Sequence, residues 1–536
     1  MGQTHFARMP GITYPRSKFK MPFKHNTSFE HGKLVPIDCF PVIPGDTFSL
    51  KLSSLIRMST PIAPIMDDIT CHIQAFFVPM RLVWEYTEEF FGENKTGAGP
   101  QTTAYHIPYA ALSSTGTGAS GQVAISSLSH YLGKPVCNLN VGASVLKERG
   151  YYLIWNEWFR AQQVQAPCII DKRGNGYPSS IGTLGGAALT FNTGLLSVNK
   201  DFDYFTTATI QPQYGPSVTL PLGTYAPLAI QNEGTGNILS GDTISPILSF
   251  GSATPGNTAV GLVGTTPNSV GSIVADLSSA TAATINSIRY AFAVQKYLER
   301  CNFGTRYFEI LKAHYGVTSP DARLQRPELL GETRFNININ QVTSVAGYAA
   351  GVTTEVGETG AVSVTTNKSS LFTKGFVEFG FVYVMLSTVQ DQSYSQGLMR
   401  EDFLFDRFDF YSPEFANLGD QEIKNKEIMV TGTNDEDTFG FQEHWAELRY
   451  RPNRNSGLLD PAVSGSLDYW TLGNNFSSRP SLGSTFLTES RDNLTRALKT
   501  GATGPDYIAS FYFDYTATRE IPLYSIPGLV DHVGNM

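Results

Sequence analysis

Charge is scarce in this chain. Only 16% of its 536 residues are Asp, Glu, Lys or Arg, while 41% are apolar; that balance excludes global disorder and leaves ample material for a core. Pairable cysteine is scarce as well. Cys39, Cys71, Cys137, Cys168 and Cys301 are odd in number, widely spaced and form no CxxC. They exclude a disulfide framework or zinc knuckle and suit buried thiols in a reducing cytoplasm. No run of 18 apolar residues occurs, so no membrane span is expected. The opening MGQTHFARMPGITYPRSKF lacks an apolar h-region, so no signal peptide is expected either. Length alone suggests about three or four domains. No Pro-, Ser- or charge-rich linker supports that division, and one large unit with long insertions competes with it.

Catalytic and cofactor motifs are also missing. There is no G-x-x-x-x-G-K-[ST], no H-E-x-x-H and no G-x-S-x-G. GTGASG at 116–121 fits G-x-G-x-x-G, but no buried strand precedes it, so it reads as a loop and no cofactor is expected. His444 and Glu447 fall in a segment read as a strand, which puts them on opposite faces and argues against a metal pair. Asn434, Asp435, Glu436 and Asp437 suit either a polar turn or a hard cation, without the spacing of a helix–loop–helix calcium site. No metal is expected, and no acid pair stands out as a general acid and base.

What is abundant is aromatic residues (34 Phe, 25 Tyr) and turn formers (50 Gly, 30 Pro). That mixture suits strands joined by many turns and flat, charge-poor protein contacts. Residues 46–59 and 67–84 alternate apolar and polar positions, and 375–389, 438–452 and 510–522 are further strand candidates. Helical spacing marks 284–300 and 306–316, the latter closed by Gly316, and 150–165 is aromatic-rich and read as helical. Residues 216–283 contain only Glu233, Asp242 and Asp276 as charges. This neutral stretch reads as a surface insertion or a segment packed on neighbouring subunits.

The net charge of −8 is unevenly spread. Residues 1–33 carry Arg8, Arg16, Lys18, Lys20, Lys24 and Lys33 against Glu30 alone. Such a stretch reads either as a nucleic-acid-binding arm, set at 1–40, or as a solvated tail. RYRPNR at 449–454 supplies Arg449, Tyr450, Arg451 and Arg454. Cations beside a ring suit a single strand, or equally a contact with an acidic neighbouring subunit.

The segments NTSFEHGKLVPIDCFPVIPGDTF, TPIAPIMDDITCHIQAFFVPMRLVW, YYLIWNEWFRAQQVQ, VTSPDARLQRPE and IPLYSIPGLVDH lie in order along the chain. Together they resemble the major capsid proteins of the Microviridae, particularly the gokushovirus-like group. The resemblance implies a mainly β fold: a single eight-stranded antiparallel jelly roll over 41–536, with long loop insertions containing short helices. It implies a homo-oligomer, a T=1 icosahedral shell around circular single-stranded DNA, found in the virion and assembled in the bacterial cytoplasm. Minor spike, DNA-binding or scaffolding phage proteins and a host cell-surface receptor are the other implied partners. The 216–283 insertion matches the place of the family's threefold protrusion. The rivals are a β-rich hydrolase, which needs a convergent acid pair, and an adhesin, which needs a secretion signal or fibrous repeat.

Overall fold

In a computed structural model of the chain, the described residues are 15–95, 105–111, 127–136, 141–174, 195–218, 228–230, 273–275, 285–302, 304, 306–344, 357 and 359–524. They are mainly β. The strict alternation at 46–59 becomes β3 (Thr47–Met58), which turns Phe48, Leu50, Leu52, Ile56 and Met58 inward. The C-terminal alternation becomes β8 (Tyr507–Arg519), with Tyr507, Phe511, Phe513 and Tyr515 on its buried side. Between and around them lie β1 (Ser17–Phe29), β2 (Val35–Val42), β4 (Ile69–Pro79), β5 (Glu328–Asn336), β6 (Thr365–Gly375) and β7 (Gly380–Gln390).

These strands form two four-stranded antiparallel sheets, in the orders β1-β8-β3-β6 and β2-β7-β4-β5. β1 pairs with β8, β2 with β7, β3 with β6 and β4 with β5. The first four strands therefore run back against the last four, and both sheets contribute to one shared apolar core. Val35 and Ile37 meet Leu50, Ile73, Val384 and Phe513 there, and each fully buried side chain of this size stabilises the fold by about 1.5–3 kcal/mol. Because Phe29, Val35 and Ile37 belong to that core, the sheets begin ahead of residue 41, within the stretch read as an arm.

The outer faces of the two sheets differ. β7 is buried along nearly its whole length, because its second face is covered by α1 (Leu146–Ile154) and the π-helical turn Trp155–Phe159. Tyr151, Tyr152 and Trp155 pack there against Phe76, Tyr383 and Met385. Gly150 permits the close approach: a side chain at this position would run into the Tyr383 ring. The expected helix at 150–165 is thus shifted toward the N-terminus and ends before Arg160.

A smaller hairpin, Asp420–Lys424 with Thr438–Glu443, packs with Tyr204, Phe205 and Phe486. The strand expected over 438–452 stops at Glu443. Trp445 adopts a left-handed backbone (φ 66°) and a 3-10 turn follows at Ala446–Leu448, so the two-face argument for His444 and Glu447 does not apply. The chain divides into two compact units, residues 1–212 with 302–536, and residues 213–301. The second unit holds all but the last residue of α2 (Ile285–Asn302), and in it Leu228–Ile230 pairs with Ile273–Ala275. Most of the 216–283 insertion lies outside the described residues, as do GTGASG and Cys137. In the first unit α3 (Tyr307–Tyr315) closes on Gly316, whose φ of 68° suits the left-handed cap. Burial pushes the thiols of Cys39 and Cys168 up to about 12.

Candidate nucleic-acid interface

The N-terminal basic residues are placed by the edge strand β1. Side chains alternate across a strand, so Lys18, Lys20 and Lys24 share one exposed face while Phe19, Met21 and Phe23 lie on the other. Phe23 stacks on Phe513 at 4.9 Å and on Tyr515 at 5.8 Å, which anchors the strand from beneath. Pro22 is tolerated because an edge strand leaves some N–H groups without a ladder partner. Arg16, just before β1, donates to Glu520 at 2.9 Å. Arg8 lies outside the described residues.

The second basic cluster sits elsewhere and is differently built. After the 3-10 turn, Arg449 pairs with Glu443 and Arg451 with Glu401. Arg454 points its Nη1 at the Met399 sulfur, 3.8 Å away, and Tyr450 is half exposed. A phosphate approaching Arg449 or Arg451 must displace a carboxylate. Exposed pairs of this kind add little stability, but they cancel the charge on which phosphate attraction depends.

Tyr450, Arg451 and Arg454 line a cavity with Tyr204, Tyr394, Arg400 and Glu427; Arg449 does not. Glu427 accepts from Arg400 at 3.1 Å and from Tyr204 at 3.0 Å, and burial raises its pKa despite the guanidinium. Sequence reading missed Arg400, which lies 27 positions from Glu427 and shares no motif with it. Asp435, weighed above for a cation, instead accepts from the Thr431 and Gly432 N–H groups and pairs with Arg479. Among the described residues no group of three His, Cys, Asp or Glu side chains is placed to hold a metal ion, and no helix is long and apolar enough to cross a membrane.

Comparison with known proteins decides the class to which these sheets and basic surfaces belong. The model of the family described as "Capsid protein (F protein)" matches residues 7–529. The chain belongs to this capsid family. It is 34% identical to capsid protein VP1 of Chlamydia phage 1, with 98% of both chains covered. It is 35% identical to VP1 of Bdellovibrio phage phiMH2K and 33% identical to VP1 of Spiroplasma virus 4, each covering 98% of this chain and 97% of the relative. The resemblance to the Microviridae major capsid proteins is borne out, and the gokushovirus-like grouping fits the Chlamydia phage relative. The capsid-family protein is structural and not an enzyme; its basic side chains are read as contact groups.

Proposed function

We propose that the chain is the repeating subunit of a small T=1 icosahedral shell that encloses circular single-stranded DNA, built on an eight-stranded jelly roll. The observation that carries this reading is the pairing of β1–β4 with β8–β5 in two four-stranded sheets, taken with the full-length capsid match. A strand quartet returning antiparallel on itself and folding into two facing sheets is the topology a double-sheet jelly roll requires. The long excursions between strands supply several faces, and faces repeated under rotational symmetry close a shell from individually modest contacts.

Arg8, Arg16, Lys18, Lys20 and Lys24 are the proposed genome contacts, with Arg449, Tyr450, Arg451 and Arg454 as a second set. The 216–283 insertion is the proposed site of host-surface contact, and minor spike, DNA-binding or scaffolding proteins the proposed additional partners. Expression of the full chain in a bacterium followed by electron microscopy tests the reading. Closed particles of uniform diameter that protect single-stranded DNA from nuclease are expected; dispersed monomers across salt and concentration would overturn it.

A further inference from the structure

The register of the first sheet brings together side chains that are far apart in sequence. On the face turned away from the core, β1 presents Lys18, Lys20 and Lys24, β3 presents Lys51 and Arg57, and β6 presents Lys368. All six are exposed. Among the described residues Asp514 of β8 is the one carboxylate on this face, opposite Lys51. The face therefore carries +5 on a chain whose net charge is −8.

Cations on a sheet are commonly balanced by acids directly across the ladder. Here Lys18 faces Thr518, Lys20 faces Thr516, Lys24 faces Tyr512, Lys368 faces Ser53 and Arg57 faces Ile508. Among the described residues none of the six makes an ion pair within 4 Å, unlike Arg449 and Arg451. The contrast with the second sheet is equally informative. Its outer face is sealed by α1 and the turn after it, whereas on the first sheet Tyr512 and Ile508 remain half exposed.

We infer that this face of the first sheet, exposed among the described residues, is a docking surface for single-stranded nucleic acid. Along β1, Lys18 and Lys20 stand ~7 Å apart and Lys20 and Lys24 ~13 Å; Lys51 and Arg57 stand ~20 Å apart along β3, and adjacent strands lie ~5 Å apart. Ser49, Ser53, Ser510 and Thr516 fill the grid between them with hydroxyl donors. Tyr512, in one row with Lys24, Ser53 and Lys368, offers a ring on which an unpaired base stacks. Five of the six cations are lysines. They act as point charges on phosphate and carry no bidentate code for base edges, which suits sequence-independent holding. The inference deepens the shell reading and rests on it: this sheet face becomes the wall turned toward the genome.

The test uses the purified full chain, a fluorescent oligo(dT) of about 20 nucleotides, and electron microscopy of the same preparations. Six phosphate contacts give a log–log salt slope of about −4, and Lys20→Gln/Lys51→Gln/Lys368→Gln lowers its magnitude by ~2. Lys172→Gln/Lys312→Gln/Lys499→Gln, an equal charge change on exposed lysines elsewhere, leaves the slope in place. Should the triple variant fail to fold, the three single variants each lower the slope by ~0.7, and Tyr512→Ser weakens binding without altering it. An unchanged slope in the sheet variants overturns the inference. So does loss of shell formation with oligo(dT) binding intact, which makes the face a contact between copies. Failure of the unmodified chain to form shells bears on the shell reading alone, since the binding measurement does not require assembly.

Discussion

Tyr515 on β8 donates a 2.5 Å hydrogen bond to the carboxylate of Asp38 on β2, tying the two sheets together through a polar contact in their aromatic layer. The other Asp38 oxygen accepts from the Cys39 N–H at 2.9 Å. Burial raises the Asp38 pKa above its ordinary 3.8, outweighing the Tyr515 bond, the Cys39 N–H and the charges of His25 and Lys147. The folded chain thus keeps this proton to higher pH than the unfolded chain does. The stability it contributes is fully present below pH 3.8 and is lost as pH rises through the folded value. Asp38→Asn has no proton to lose, so its melting temperature gains on that of the unmodified chain between pH 4 and pH 7. A constant gap across that range would refute the account. Tyr515→Phe leaves the acid one donor short and costs about 1–3 kcal/mol, with the larger loss at pH 7.

Gly150 tests whether α1 is pressed as closely onto β7 as described. A methyl group there collides with the Tyr383 ring, which is fully buried and whose hydroxyl donates to the Lys147 carbonyl at 2.8 Å. Gly150→Ala is therefore destabilising by about 1–3 kcal/mol through overpacking, although alanine ordinarily favours a helix. In a Tyr383→Phe background the added cost is smaller, because the hydroxyl is the nearest obstacle. Denaturant melts of the four variants form a double-mutant cycle; additive costs would remove the clash as the cause.

The uneven legibility of the fold has a physical origin. β3 and β8 are readable because each has one face in the core and one in solvent, so apolar and polar positions alternate. β7 reads as an unbroken apolar run because both its faces are covered. β1 escapes the same reading, since its edge position admits Pro22 and three lysines, and its one fully buried residue is the terminal Phe29. The segment after Glu443 misleads in the opposite direction: apolar and polar residues alternate again over 447–451, but the left-handed backbone at Trp445 ends the strand. Charge alone marked Lys18, Lys20 and Lys24. Lys51, Arg57 and Lys368 are isolated cations in sequence, and only strand register makes them neighbours.

Arg400 and Glu427 provide a test of internal pairing. Glu427 is nearly inaccessible and holds both Arg400 and Tyr204. Arg400→Met leaves a buried carboxylate short of its cation, at a cost of about 3 kcal/mol. Glu427→Gln keeps an acceptor for Tyr204 and sheds the buried charge, so it is the milder change. Chemical denaturation of both variants at pH 7 checks the order; an equal or larger loss in Glu427→Gln contradicts it.

The N-terminal residues confound charge with structure, and two variants separate them. Deleting residues 1–24 removes the basic side chains but also strips β8 of the pairs from Ser17↔Arg519 to Lys24↔Tyr512. It further removes the Phe23 ring stacked on Phe513. That truncation is expected to cost roughly 2–4 kcal/mol from lost apolar burial and ladder bonds, and to expose the edge of β8 to aggregation. Lys18→Gln/Lys20→Gln/Lys24→Gln changes only the solvent face of the same strand, so its melting temperature should stay within a degree or two of the unmodified chain. DNA content, read from the absorbance ratio of purified particles, should nevertheless fall in this triple variant. A stable truncation would mean that β1 is dispensable to the sheet; a destabilised triple variant would mean that its lysines serve the fold, not the genome.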